Sequence, residues 1–227
     1  MNLVSRTHVL FDLDGTLVDS REAVAQCYRQ VFREHLKQDF PPPQFLAAEV
    51  FAMRPAELFA RVAPERVDEL HAAYQAGYPA AAAACLKVFE GADALIQGLV
   101  RSGRQPALVT NKGLPRTLID LAHARIDTAW FSAIVTSEDT IERKPHPAPV
   151  QLGLQRAGGD PDDALYVGDG PHDVFAARAA GMPAIAVTYG FYAQPDLIDC
   201  RPDAWAHSMA ELAELLGVRL ERKGRAA

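Results

Sequence analysis

Short, nearly unbroken apolar runs recur along the chain at residues 8–11, 106–109, 133–135, 164–167 and 184–187. Runs of this length without polar alternation read as strands buried on both faces. Between and before them, residues 91–101, 114–124, 147–157 and 171–180 place apolar side chains at helical spacing. The last two of these stretches open on a proline, which suits the first helical turn. Strand and helix alternate, so the pattern predicts an α/β fold: a doubly wound parallel sheet covered by helices on both faces.

The interval between the first two strands breaks this rhythm. It runs for about ninety residues, where a crossover needs only a dozen or so. Within it Val24, Cys27, Tyr28, Val31 and Leu36 fall at near-helical spacing, Pro41-Pro42-Pro43 interrupts the chain, and two or three further helical stretches reach Leu86. The expectation is a small α-helical domain at residues 18–88, inserted into a core made of residues 1–17 and 89–227. Residues 221–227 lack apolar periodicity and read as a frayed tail.

Composition narrows the function. The 227 residues are 49% hydrophobic and 23% charged, as in an ordinary folded domain. Lys+Arg 23 against Asp+Glu 29 gives a net charge of −6, which argues against a nucleic-acid clamp. No apolar run approaches the roughly 20 residues a membrane span requires, and the alanines at 80–84 are bracketed by Pro79 and Lys87. The N-terminus enters a strand without a secretory pattern, so a cytoplasmic protein, monomer or homodimer, is expected. Cys27, Cys85 and Cys200 are too scattered for a CxxC pair and read as buried free thiols.

In sheets of this kind chemistry sits just past the C-terminal strand ends. Those positions hold Asp12-Leu13-Asp14-Gly15-Thr16 after the first strand, Thr110-Asn111-Lys112 after the second and Gly168-Asp169-Gly170-Pro171-His172-Asp173 after the fourth; Lys144 precedes the helix at 147. Asp12, Asp14 and Asp169 would repel one another unless a cation lay among them. Oxygen donors without a His or Cys cluster favour Mg²⁺. Such an ion attracts phosphate, whose remaining charge Lys144, Thr110 and Asn111 could hold. The pattern points to phosphoryl transfer.

At these residues the chain resembles the haloacid dehalogenase superfamily of phosphotransferases. FDLDGTLVDS resembles its first motif, LVTNK the second, the lysine of RKPHP the third and YVGDGPHDVFAARAAG the fourth. The position of the helical insert is similar to the cap of phosphoglycolate phosphatase-like and β-phosphoglucomutase-like members, on a Rossmann-like core. The resemblance implies that Asp12 is the nucleophile, forming an aspartyl-phosphate, and that Asp14 is the general acid and then base. It implies that Thr110 and Lys144 stabilise the phosphoryl group, and that Mg²⁺ is held by Asp12, the Asp14 carbonyl and Asp169. Asp173 would orient Lys144 or a metal-bound water, or else only face the dipole of its helix. Asn111 is placed against phosphate, and Lys112 stays open between the site and a solvated loop charge. His146 and His172 read as loop residues without a catalytic role, and Trp130 and Trp205 as packing residues.

Four activities compete within that resemblance. Asp14 favours a Mg²⁺-dependent phosphatase, phosphoglycolate phosphatase-like, over a dehalogenase, and Arg54 excludes the Schiff-base lysine of a phosphonatase. A β-phosphoglucomutase-like phosphotransferase is the alternative, and a non-catalytic binding member is disfavoured because Asp12, Asp14, Lys144 and Asp169 are all present. Arg54, after Phe51-Ala52-Met53 and before a helix start at Pro55, reads either as a contact to an anionic leaving group or as a surface charge paired with Glu57 or Glu49.

Overall fold

The structure is a computed structural model, and it describes residues 3–44 and 53–220. The chain divides into two compact units, Met1–Asp19 with Lys87–Ala227, and Ser20–Leu86.

In the first unit, among the described residues, six strands form one parallel sheet in the order β5-β4-β1-β6-β7-β8. These are β1 His8–Phe11, β4 Gln105–Val109, β5 Ala133–Val135, β6 Ala164–Gly168, β7 Ala184–Val187 and β8 Ala204–Ala206. Val9, Leu10, Phe11 and all of 107–109 and 164–167 are fully buried, as apolar strands covered on both faces must be. Helices Ala92–Arg101, Leu114–Ala124, Ala148–Arg156, Pro171–Ala179 and Met209–Leu215 supply the cover. β1 registers against both β4 and β6, with Phe11 opposite Leu108 and Val167. From β1 the chain builds outward through β4 and β5, then crosses back to β6 on the other side. That reversal is a topological switch point, and ligands of such sheets bind beyond the carboxyl ends of the strands beside it.

Two features differ from the expectation. β8 is a sixth strand, an Ala-Trp-Ala edge too short and half-buried to leave a periodic signal. β2 (Val18–Asp19) and β3 (Lys87–Val88) form a two-residue antiparallel ribbon, with Val18 opposite Val88, where the chain leaves and re-enters this unit.

The second unit contains helices Arg21–Val31, Pro55–Val62 and Val67–Cys85. The first continues as a π-helical turn, Phe32–Leu36, and ends where Lys37 turns left-handed at φ 57°. Its core is aromatic: Tyr28 stacks on Phe40 at 4.9 Å and meets Tyr74 at 4.8 Å, and Phe32, Phe59 and Tyr78 complete the cluster. Pro79, read as an interruption of the alanine run, lies inside the third helix. Cys27 and Cys200 are buried as expected, but Cys85 is half-exposed, with Sγ 2.7 Å from Gln26 Oε1. Among the described residues no helix is long and apolar enough to cross a membrane.

Candidate active site

Asp12 directly follows β1, its amide donating to Val167 O at 2.9 Å. The chain then folds back on itself: the amides of Thr16, Leu17 and Val18 converge on Leu13 O, and Gly15 N donates to Val18 O at 2.7 Å. Buried Leu13 and Leu17 anchor this turn in the core. Gly15 holds φ +79°, and a Cβ there would fall 2.0 Å from Asp169 Oδ2. Gly190 is equally obliged, since its Cβ would meet Gly15 O at 2.3 Å. The two glycines let the Asp169 carboxylate press against the turn that carries Asp12 and Asp14.

Lys144 is the centre of the cluster, with its side chain wholly buried. Its Nζ donates to Asp173 Oδ1 at 2.7 Å, Tyr166 Oη at 2.8 Å and Val109 O at 2.9 Å. Three bonds use all three ammonium protons. Asp12 Oδ1, 2.9 Å from the same nitrogen, is therefore attracted by charge but receives no hydrogen bond. Burial works against the charged form of Lys144, yet Asp12 and Asp173 together hold its pKa well above the ordinary value. Burial raises Asp12, against the pull of Lys144.

Asp173 spends Oδ1 on Lys144 and Oδ2 on the Gly170 amide at 3.0 Å. Despite its burial, His172 and Lys144 hold it below the usual carboxylate range. Asp169 accepts from Phe191 N at Oδ2, 2.6 Å away. Burial, then repulsion from Asp173 and Asp12, drives its pKa well above the usual range. Three buried carboxylates thus face one ammonium, and the surplus negative charge suits a divalent cation. Ligand atoms of Asp12, His172 and Asp173 gather within 4.8 Å of one another. Asp173 has both oxygens committed, so Asp12 and the free Oδ1 of Asp169 are the better hard donors for Mg²⁺.

Four expected residues remain. Thr110, buried after β4, accepts from Lys112 N at 3.2 Å. Asn111, expected against phosphate, has another use: its amide bridges the Lys144 backbone, with Nδ2 on the carbonyl and Oδ1 on the N–H, both at 3.1 Å. Lys112 is no solvated loop charge. It is buried, with Nζ 2.7 Å from Asp14 Oδ1 and also bonded to Asp120. Arg54 belongs to the unit Ser20–Leu86, where it precedes the helix Pro55–Val62. Its backbone N–H donates to Glu57 Oε2 at 3.0 Å, while its buried Nε has no hydrogen-bond partner. Glu49, Phe51 and Ala52 lie outside the described residues.

Three residues escaped the sequence reading. His172 is not a loop residue. It occupies the first turn of the helix Pro171–Ala179, with Nε2 3.6 Å from Asp173 Oδ2 and 4.0 Å from Asp12 Oδ2. Tyr166 read only as a strand residue, yet its hydroxyl also donates to Val109 O at 2.7 Å. Asp120 did leave a signal: with Thr117, Leu121 and Ala124 it lies on the buried stripe of its helix, where a lone carboxylate demands a partner.

Compared with known proteins, residues 9–187 match the family model described as haloacid dehalogenase-like hydrolase. The chain belongs to this family. Among curated members, the pyrophosphatase PpaX of Bacillus velezensis is 32% identical, over 94% of this chain and 97% of its own length. That of Anoxybacillus flavithermus is 30% identical over 92% and 96%. Among solved structures, CbbY from Rhodobacter sphaeroides in complex with phosphate superposes with a TM-score of 0.80 at 25% identity, covering 94% of this chain and 100% of its own. The chain is therefore a haloacid dehalogenase-like hydrolase with phosphatase-like relatives.

Proposed function

We propose that this hydrolase is a Mg²⁺-dependent phosphatase acting on a small phosphorylated metabolite through an aspartyl-phosphate. One observation carries the reading: Asp12 stands at the end of β1 with its Oδ1 2.9 Å from the Lys144 ammonium and no hydrogen bond to it, so a nucleophilic carboxylate is held there by charge alone. Asp12 attacks phosphorus, and the bond to the leaving oxygen breaks with its electron pair as Asp14 donates a proton to that oxygen. Water then attacks the aspartyl-phosphate and gives its proton to Asp14, and the P–O bond to Asp12 breaks, releasing phosphate and restoring the Asp12 carboxylate and the protonated Asp14 acid. Lys144 and the Thr110 hydroxyl offset the charge on the phosphoryl oxygens. Mg²⁺, held by Asp12, Asp169 and the Asp14 carbonyl, would supply electrostatic neutralisation of the incoming phosphate.

The Ser20–Leu86 unit is read as the cap, with Arg54 as the contact to an anionic leaving group. The names of the relatives support a second substrate reading, pyrophosphate, whose phosphate leaving group makes a smaller demand on Asp14. The test is phosphate release from phosphoglycolate, sugar phosphates, alkyl phosphates and pyrophosphate, with and without EDTA. Activity should vanish on metal removal, return with Mg²⁺, and fall by about 10⁴-fold or more in Asp12→Asn. Full turnover after rigorous metal removal, or by Asp12→Asn, would overturn the mechanism.

A further inference from the structure

Lys112 and Asp120 form a buried ion pair beside Asp14. Their side chains are 2% and 0% exposed, against 25% for Asp14. The loop that carries Lys112 is fixed on both sides, its N–H on Thr110 Oγ1 and its carbonyl accepting from Ser137 N at 3.1 Å. Asp120 projects from the buried stripe of the helix Leu114–Ala124. Stability alone does not call for such a pair, because replacing a buried ion pair with apolar side chains of similar volume is often neutral or stabilising. What the pair provides is a donor aimed at Asp14 Oδ1 from 2.7 Å. Asp120 shares the charge of Lys112, so Asp14 receives a directed hydrogen bond from an ammonium that a second carboxylate also holds.

We propose that Lys112, itself held by Asp120, is a positioning residue that holds the Asp14 carboxyl through Oδ1 in the orientation from which it gives and takes the proton. This rests on the reading of Asp14 as the acid and base. In the first step the Asp14 carboxyl proton passes to the ester oxygen as its bond to phosphorus breaks; in the second, the Asp14 carboxylate takes a proton from the attacking water. A carboxyl free to rotate away from that oxygen loses rate without losing substrate, since misplacement of about 1 Å can cost about 100-fold.

The experiment compares wild type, D14N, K112M/D120L and D120N on an alkyl phosphate and on 4-nitrophenyl phosphate, reading kcat/KM, which reports the first phosphoryl transfer. The inhibition constant of inorganic phosphate and the melting temperature are measured alongside. K112M/D120L removes both charges together and so leaves neither buried alone. It should lose about 10–100-fold on the alkyl ester and less than about 3-fold on the aryl ester, whose good leaving group needs little acid help. Phosphate inhibition should stay within about 2-fold, as expected of a lesion that spares ground-state binding. D120N, which keeps the shape and an acceptor for Lys112, should show the same leaving-group dependence at smaller amplitude, and it carries the test if the double variant does not fold. Wild-type kcat/KM on the alkyl ester, or equal losses on both esters, overturns the positioning role. If D14N turns over the alkyl ester at the wild-type rate, the acid/base reading fails; if D14N is inactive there and K112M/D120L is not, the positioning role alone fails.

Discussion

Tyr166→Phe tests the idea that Asp12 is kept reactive by denying it a hydrogen bond. The Tyr166 hydroxyl accepts from Lys144 Nζ at 2.8 Å and donates to Val109 O at 2.7 Å. Without it, Val109 O still receives a Lys144 proton at 2.9 Å, but the third ammonium proton has no acceptor in its former direction. The nearest one is Asp12 Oδ1, 2.9 Å away. Two consequences can be sized. Two buried hydrogen bonds are lost and one of different geometry is gained, which should cost about 1–2 kcal/mol. For a chain of this length that is a fall in Tm of about 2–8 °C. A hydrogen bond donated to the attacking carboxylate, worth about 1.5–3 kcal/mol to a charged acceptor, must be weakened as the P–O bond forms. If about half is lost in the transition state, phosphoryl transfer slows about 4- to 13-fold. The same bond favours ionised Asp12, so the acid limb of the pH–rate profile should move to lower pH. The assay is single-turnover release of 4-nitrophenol, with Tm by calorimetry. A variant that loses stability while keeping the wild-type transfer rate and the same acid limb would refute the reasoning.

Two further predictions concern the metal and the turn. Burial, then Asp173 and Asp12, holds Asp169 well above its ordinary value of 3.8, so the metal-free folded chain binds this proton more tightly than the unfolded chain. The stability it contributes is present below the ordinary value and lost as pH rises through the raised one. Mg²⁺ competes with that proton, so at one fixed Mg²⁺ concentration its stabilisation should grow as pH rises through the raised value; thermal shifts independent of pH would count against Asp169 as a ligand. Gly15→Ala places a Cβ 2.0 Å from Asp169 Oδ2 at a positive φ. It should cost about 1–2 kcal/mol in stability from the backbone alone and weaken Mg²⁺ by at least about 10-fold in a calorimetric titration, and an unchanged affinity would show that the turn does not position Asp169.

The strand pattern was legible because strands buried on both faces leave uninterrupted apolar runs, and five such runs coincide with β1, β4, β5, β6 and β7. β8 and the β2–β3 ribbon were not, because two or three residues at an edge carry no period. The residues that follow the strands were legible as chemistry for a related reason: acids, a threonine and a lysine placed just beyond apolar runs have no packing role there. Their partners were a different matter. Whether Lys112 faces solvent or Asp14, whether Asn111 serves phosphate or the Lys144 backbone, and whether His172 stands on a loop or beside Asp12 depend on contacts between residues tens of positions apart.

Local composition therefore determined which residue types stand at the strand ends, and with them the family and the class of reaction. Only the tertiary structure decided how the charges are shared. It set one lysine among Asp12, Asp173, Tyr166 and Val109, and gave the second to Asp14 and Asp120. The physical reason is that a strand's pattern records burial of its own side chains, whereas a hydrogen bond is settled by direction and distance between side chains that only the folded sheet brings together.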